Sequence, residues 1–141
     1  GGRGGALGWG MGGAMGMKLA NPERPVIAIV GDGSAMMTVQ ALWTAAVENI
    51  PVVYIICNNG AYRVLKLNMN LYKQQILREK MPISQYIGMD FAHPLDISAM
   101  AQAMGVYSQR VEIPSDLGPT LQKALDMGKP AVLDVIIDGS L

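Results

Sequence analysis

Apolar positions along this chain fall in short unbroken blocks separated by helical stretches, the pattern of strands in a parallel sheet. Val26-Ile27-Ala28-Ile29-Val30 is a β-branched run with no polar position, which predicts a strand buried in such a sheet. It stops in Gly31-Asp32-Gly33-Ser34, and a helical pattern follows from Ala35 to about Asn49. Apolar residues are nearly continuous from Ala35 to Val47, so this helix is expected to be buried on more than one side. Pro51 opens a second run, Val52–Cys57, which ends in Asn58-Asn59-Gly60. Together these form one βαβ unit with polar residues at the carboxyl ends of both strands.

The remaining blocks extend the same architecture. Leu7–Ala20 reads as a helix whose glycines allow close packing, and Asn21–Pro25 as the turn into the first strand. A helix is expected to start near Tyr62 and run toward Arg78, followed by a mobile or partly exposed segment through Pro82. Pro94 or Asp96 begins a helix over Ile97–Met104 that Gly105 ends. Val106–Val111 predicts a third strand. Ser115 is expected to cap a helix over Asp116–Met127, with Gly128 as its stop. The last strand spans Ala131–Ile137, with Asp134 expected at a sheet end or against a partner. The fold class is α/β: a mainly parallel sheet between helices on both faces, in three layers, α/β/α.

The polar strand ends suggest the chemistry. Neighbouring parallel strands lie roughly 4.8 Å apart, so Asp32 and Asn59 could reach one small cation from two sides. Ligands of open α/β sheets settle outside the carboxyl ends of the strands. Gly33 and Ser34 begin the following helix, where backbone N–H groups favour an anion. One carboxylate, one amide oxygen and an adjacent anion site suit Mg²⁺, which completes its octahedron with phosphate oxygens and water. The expected ligand is a diphosphate bridged by Mg²⁺. Capping is the plainer alternative for Asp32 and Ser34, and for Ser34 the two roles are compatible.

A rival motif lies upstream. Gly8-Trp9-Gly10-Met11-Gly12-Gly13 matches the dinucleotide pattern G-x-G-x-x-G, which would make this a nicotinamide- or flavin-dependent oxidoreductase domain. That fingerprint must follow a strand, and Gly1–Ala6 has no strand character. The 141 residues suffice for one domain with a real core, and 11 basic against 11 acidic residues leave no basic face for nucleic acid. The single Cys57 fits a reducing, cytoplasmic compartment and reads as a small buried hydrophobe. No stretch of residues 1–20 is long enough to span a membrane. The eleven methionines are soft core filling. His93, the only histidine, precedes a proline and reads as a loop residue. The chain opens on Gly1-Gly2 without an initiator methionine, and it is expected to be a piece of a longer multidomain polypeptide, with residues 1–141 as one domain.

Gly31-Asp32-Gly33-Ser34 followed by Asn58-Asn59 resembles the thiamine-diphosphate motif of the 2-keto acid decarboxylases and acetolactate synthases. Ala41-Leu42-Trp43-Thr44-Ala45-Ala46, Asn49-Ile50-Pro51 and Asn58-Asn59-Gly60-Ala61-Tyr62 look closest to benzoylformate decarboxylase and its relatives. The likeness runs from Gly4 to Val135 and is weakest between Leu67 and His93. It implies the thiamine-diphosphate-binding fold and its cofactors, thiamine diphosphate and Mg²⁺. In it Asp32, Asn59 and the Ala61 backbone carbonyl hold the metal, while Gly31, Gly33, Ser34 and Tyr62 hold or cover the diphosphate. A backbone carbonyl near Gly5 would meet the pyrimidine amino group, and Leu7 would wedge between the two cofactor rings. The region beginning near Val64 would face the substrate.

The resemblance implies 2-keto acid chemistry, with the cofactor as electron sink for loss of carbon dioxide and release of an aldehyde or, after a second carbonyl adds, a hydroxyketone. An acetolactate synthase-type carboligase is the alternative, and a non-catalytic paralogue kept for assembly is another. No catalytic residue is assigned in this chain, because the activating glutamate and substrate-handling residues of the family lie on other segments. Glu48 and Glu112 read as solvated. The implied partners are a pyrimidine-binding domain of the same or another subunit and a small 2-keto acid, in a homodimer or homotetramer. The chain alone is expected to be inactive.

Overall fold

The structure is a computed structural model and describes residues 6–79, 83 and 85–140. Gly5 and Lys80–Pro82 therefore lie outside the described residues. Four strands pair in the order β1-β2-β4-β3: Val26–Gly31, Val52–Asn58, Ala131–Ile136 and, at the far edge, Tyr107–Val111. All three pairings are parallel. Gly31 stands opposite Cys57 in the register of β1 and β2, so Asp32 leaves one strand beside the Asn58-Asn59 end of the other.

Alternation along each strand builds two core layers. Val52, Tyr54 and Ile56 of β2 and Val132 of β4 face α1 (Trp9–Ala20), α3 (Ala41–Val47) and α5 (Ile97–Ala103). Val53, Ala131 and Leu133 face α6 (Leu117–Asp126) on the other side. Each large side chain removed from water here contributes roughly 1.5–3 kcal/mol. Tyr54 also carries a polar tip, which the core accommodates by donating its hydroxyl to the Met11 carbonyl at 3.0 Å and so fastening α1 to the sheet.

Several expectations need correction. β1 is an edge strand, and α6 does not reach across it. Ile29 is 72% exposed, so the run at Val26–Val30 is covered on one face only. The helix expected over Ala35–Asn49 is two: α2 (Asp32–Met36) and α3, parted by a turn at residues 37–40. Thr38 Oγ1 donates to the Gly8 carbonyl at 2.8 Å, and the Gly8 N–H donates to Ser34 Oγ at 3.1 Å. These side-chain bonds tie the start of α1 to the turn and to α2. α3 buries only Leu42 and Ala45, while Trp43 and Val47 are exposed, so it packs on one side. Ser115 does not cap a helix: its hydroxyl meets the Asp116 carboxylate at 3.4 Å, within a 3-10 turn over Pro114–Asp116 that precedes α6. Asp96 does cap α5, accepting from the Ala99 N–H at 2.7 Å. Cys57 is half-buried rather than sealed in the core.

Asp134 departs furthest from expectation. It is fully buried in β4, on the same face as Val132. Its Oδ1 accepts from Asn58 Nδ2 at 2.9 Å, and its Oδ2 takes the Ser98 N–H at 3.4 Å. Asn58 Nδ2 also donates to the Leu95 carbonyl at 2.8 Å. Burial pushes the Asp134 carboxyl above the usual aspartate range, against the opposing pull of the Asn58 and Ser98 hydrogen bonds. A carboxylate that depends on the core for its partners acts as an internal strut between β2, β4 and the start of α5.

Candidate functional site

A cavity of about 460 Å³ opens at the carboxyl ends of β1 and β2. Its wall contains Leu7, Gly31, Asp32, Gly33, Ser34, Asn59, Ala61 and Tyr62, which are eight of the nine residues singled out in the sequence; Gly5 lies outside the described residues. His93 is exposed and not part of it.

Asp32 is the pivot. It is 3% exposed, and three backbone donors surround its carboxylate. Gly33 N–H donates to Oδ1 at 2.7 Å, and Oδ2 accepts from Asn59 N–H at 3.1 Å and Gly60 N–H at 2.8 Å. The carboxylate thus stitches the end of β1 to the loop leaving β2, and the Gly33 N–H, expected to face an anion, is already engaged. Asn59 Oδ1 accepts from the Ala61 N–H at 3.0 Å, an Asx turn that tightens the loop. Gly60 takes a positive φ of 67°, which glycine tolerates and a β-carbon opposes.

Carboxylate and amide oxygens keep acceptor capacity beyond these bonds. Asp32, Asn59 and Ala61 line one cavity and possess a carboxylate, an amide oxygen and a backbone carbonyl, a set of hard oxygen donors suited to Mg²⁺ completed by phosphate and water. Among the described residues no three His, Cys, Asp or Glu side chains gather, so no cage built wholly of those side chains stands there. The residues present fit a cation that shares its coordination with a bound anion.

Tyr62 forms the lid over α2. Its ring stands edge-on to Phe91 with centroids 4.9 Å apart, and a β-carbon built at Gly33 would run into it. Gly33→Ala is therefore expected to push the Tyr62 ring off the cavity and to cost about 1–3 kcal/mol, read as a lower urea midpoint.

Residues 2–135 match the sequence profile of the thiamine pyrophosphate enzyme C-terminal TPP binding domain. The chain belongs to this family. It is 35% identical over 136 residues to a putative acetolactate synthase large subunit of Mycobacterium tuberculosis, covering 95% of this chain and 26% of that protein. It is 34% identical over 131 residues to a benzoylformate decarboxylase of Pseudomonas aeruginosa, covering 93% of this chain and 23% of that one. A thiamine diphosphate-dependent 4-hydroxybenzoylformate decarboxylase of Rhodococcus jostii superposes with a TM-score of 0.79 at 34% identity, over 95% of this chain and 24% of the other. The chain spans about a quarter of the length of the curated relatives it matches.

Sequence reasoning missed part of the wall. Met37 and Arg63 line the cavity, brought there by the turn after α2 and by the first residue of α4 (Arg63–Gln75). Phe91 reaches the site from far along the chain, through a loop without periodic signal. Only a long-range pairing could have revealed it.

Proposed function

We propose that this chain is the domain that anchors the Mg²⁺-diphosphate end of thiamine diphosphate in a larger 2-keto acid decarboxylase of the benzoylformate type. The observation that carries the reading is the convergence of Asp32, Asn59 and Ala61 on one cavity wall in a chain of this family. Asp32 and Asn59 hold Mg²⁺ by side-chain oxygens, and Ala61 by its carbonyl. Ser34, whose oxygen already accepts from Gly8, turns its own proton toward the diphosphate, with Gly31 giving room beside it. Tyr62 covers the diphosphate, Arg63 places positive charge at the rim, and Leu7 props the ring end. Gly5, outside the described residues, belongs to the same proposal as a further cofactor-ring contact. When bound, thiamine diphosphate supplies the electron sink for decarboxylation; this chain's residues orient and charge-balance it.

Residues 1–141 form one domain of a multidomain enzyme in this reading, and a pyrimidine-binding domain of the same or a neighbouring subunit completes the site. A homodimer or homotetramer, the cytoplasm and a small 2-keto acid substrate belong to the same proposal. Among the described residues no helix is long and apolar enough to cross a membrane. Acetolactate synthesis is the second reading, favoured by the likeness to the mycobacterial subunit. The intact protein, loaded with thiamine diphosphate and Mg²⁺ and offered benzoylformate or pyruvate, decides between them. Benzaldehyde from benzoylformate supports the first; acetolactate from pyruvate, with benzoylformate untouched, overturns it.

A further inference from the structure

α4 carries an inversion of the usual helix logic. Its buried residue is Lys66, 6% exposed, while Val64, Leu65 and Leu67 beside it face outward. Burying an ammonium is costly unless something pairs with it. The partner is Asp90, which forms an ion pair with Lys66 Nζ, and the Tyr86 ring centre lies 5.4 Å from the same ammonium. Tyr86 is held in turn, its hydroxyl donating to Asn70 Oδ1 at 2.7 Å on the next turn of α4.

The other edge of the same segment grips the loop of the candidate site. Ala61 and Asp90 form an antiparallel bridge. Tyr62 N–H donates to the Met89 carbonyl at 2.8 Å, and Phe91 N–H to the Gly60 carbonyl at 2.9 Å. Residues 89–91 are therefore fixed between α4 and the residues that present Asn59 and Ala61.

We infer that Lys66 and Asp90 are a positioning pair for the cation site: they hold residues 86–91 against α4 and, through that segment, fix the direction of the Ala61 carbonyl and the Asn59 side chain. The inference rests on the function proposed above. Outer partners of metal ligands act in this way, setting ligand orientation without touching the ion.

The test compares Lys66→Met, Lys66→Arg and Asp90→Asn in the intact protein. Thiamine diphosphate binding is titrated calorimetrically at stepped Mg²⁺ concentrations, and residue-resolved hydrogen exchange is followed alongside. Lys66→Met and Asp90→Asn are expected to need about 10- to 100-fold more Mg²⁺ for half-maximal binding. Their Tyr62 and Phe91 amides exchange faster while the amides of β2 do not change. Lys66→Arg keeps the charge and stays close to the unaltered protein. An unchanged Mg²⁺ requirement, with or without faster exchange at Tyr62, overturns the inference, because the pair would then serve the fold alone. Should Lys66→Met fail to fold, Asp90→Asn carries the test, since the Asp90 side chain is 65% exposed and its loss leaves no hole. Failure of the unaltered protein to bind at any Mg²⁺ concentration sinks the function itself, and the inference with it.

Discussion

Asp32→Ala is expected to abolish Mg²⁺-dependent binding of thiamine diphosphate in the intact protein. The loss should reach at least about 100-fold in affinity, the top of the range for outer partners of a metal, because the proposed function makes Asp32 a direct ligand. Two contributions must be separated. Alanine deletes the charge proposed to face the cation, and it also strands the Gly33, Asn59 and Gly60 N–H groups that donate to the carboxylate. Hydrogen bonds to a charged acceptor are worth about 1.5–3 kcal/mol each, so stability falls as well. Asp32→Asn retains the shape and one acceptor oxygen while removing the charge. Calorimetry should find both variants deficient in binding, and urea unfolding should find asparagine the milder of the two. Asparagine binding as tightly as the unaltered protein would show that the carboxylate serves the fold and not the metal.

Asp134→Ala is expected to destabilise the protein by about 2–4 kcal/mol, which urea unfolding measures directly. The substitution removes the acceptor for Asn58 Nδ2 and the Ser98 N–H inside a region sealed from water, and an unsatisfied buried group costs about 1–3 kcal/mol. Asn58 keeps its bond to the Leu95 carbonyl, which limits the loss. The same residue gives the protein a signature in pH. Burial raises the Asp134 pKa above 3.8, its ordinary value, so the folded state holds its proton where the unfolded chain has released it. The stability this group contributes is full below 3.8 and is lost as pH rises through the elevated value. Asp134→Asn removes that part of the slope, and a series of unfolding curves across the acid range would register the difference. An unaltered slope would mean that the carboxyl titrates normally.

The sequence reveals what depends on local pattern. Val52–Cys57 is an unbroken apolar run and Ala131–Ile137 an apolar run interrupted only by Asp134, and each became a strand of the central pair in the sheet. Asp32 and Asn59 were legible because glycines and strand ends flank them, and the parallel register of β1 on β2 then sets them side by side. What could not be read depends on contacts across the chain. The long helix is interrupted at a turn whose Thr38 bonds to Gly8, thirty residues away. Asp134 looked like a strand-end residue because its compensating partners, Asn58 and Ser98, lie on other elements. Lys66 carried no signal in a helix of mixed pattern, since its burial depends on Asp90 across a loop. Ile29 was expected inside because an apolar run does not say how many faces a helix will cover.

The central claim is that this cavity binds a diphosphate through Mg²⁺, and a calorimetric titration of the intact protein with thiamine diphosphate tests it most directly. Binding should need Mg²⁺, vanish with chelator and be absent in Asp32→Asn. Binding indifferent to Mg²⁺, or uptake of NAD⁺ with no response to thiamine diphosphate, would contradict it.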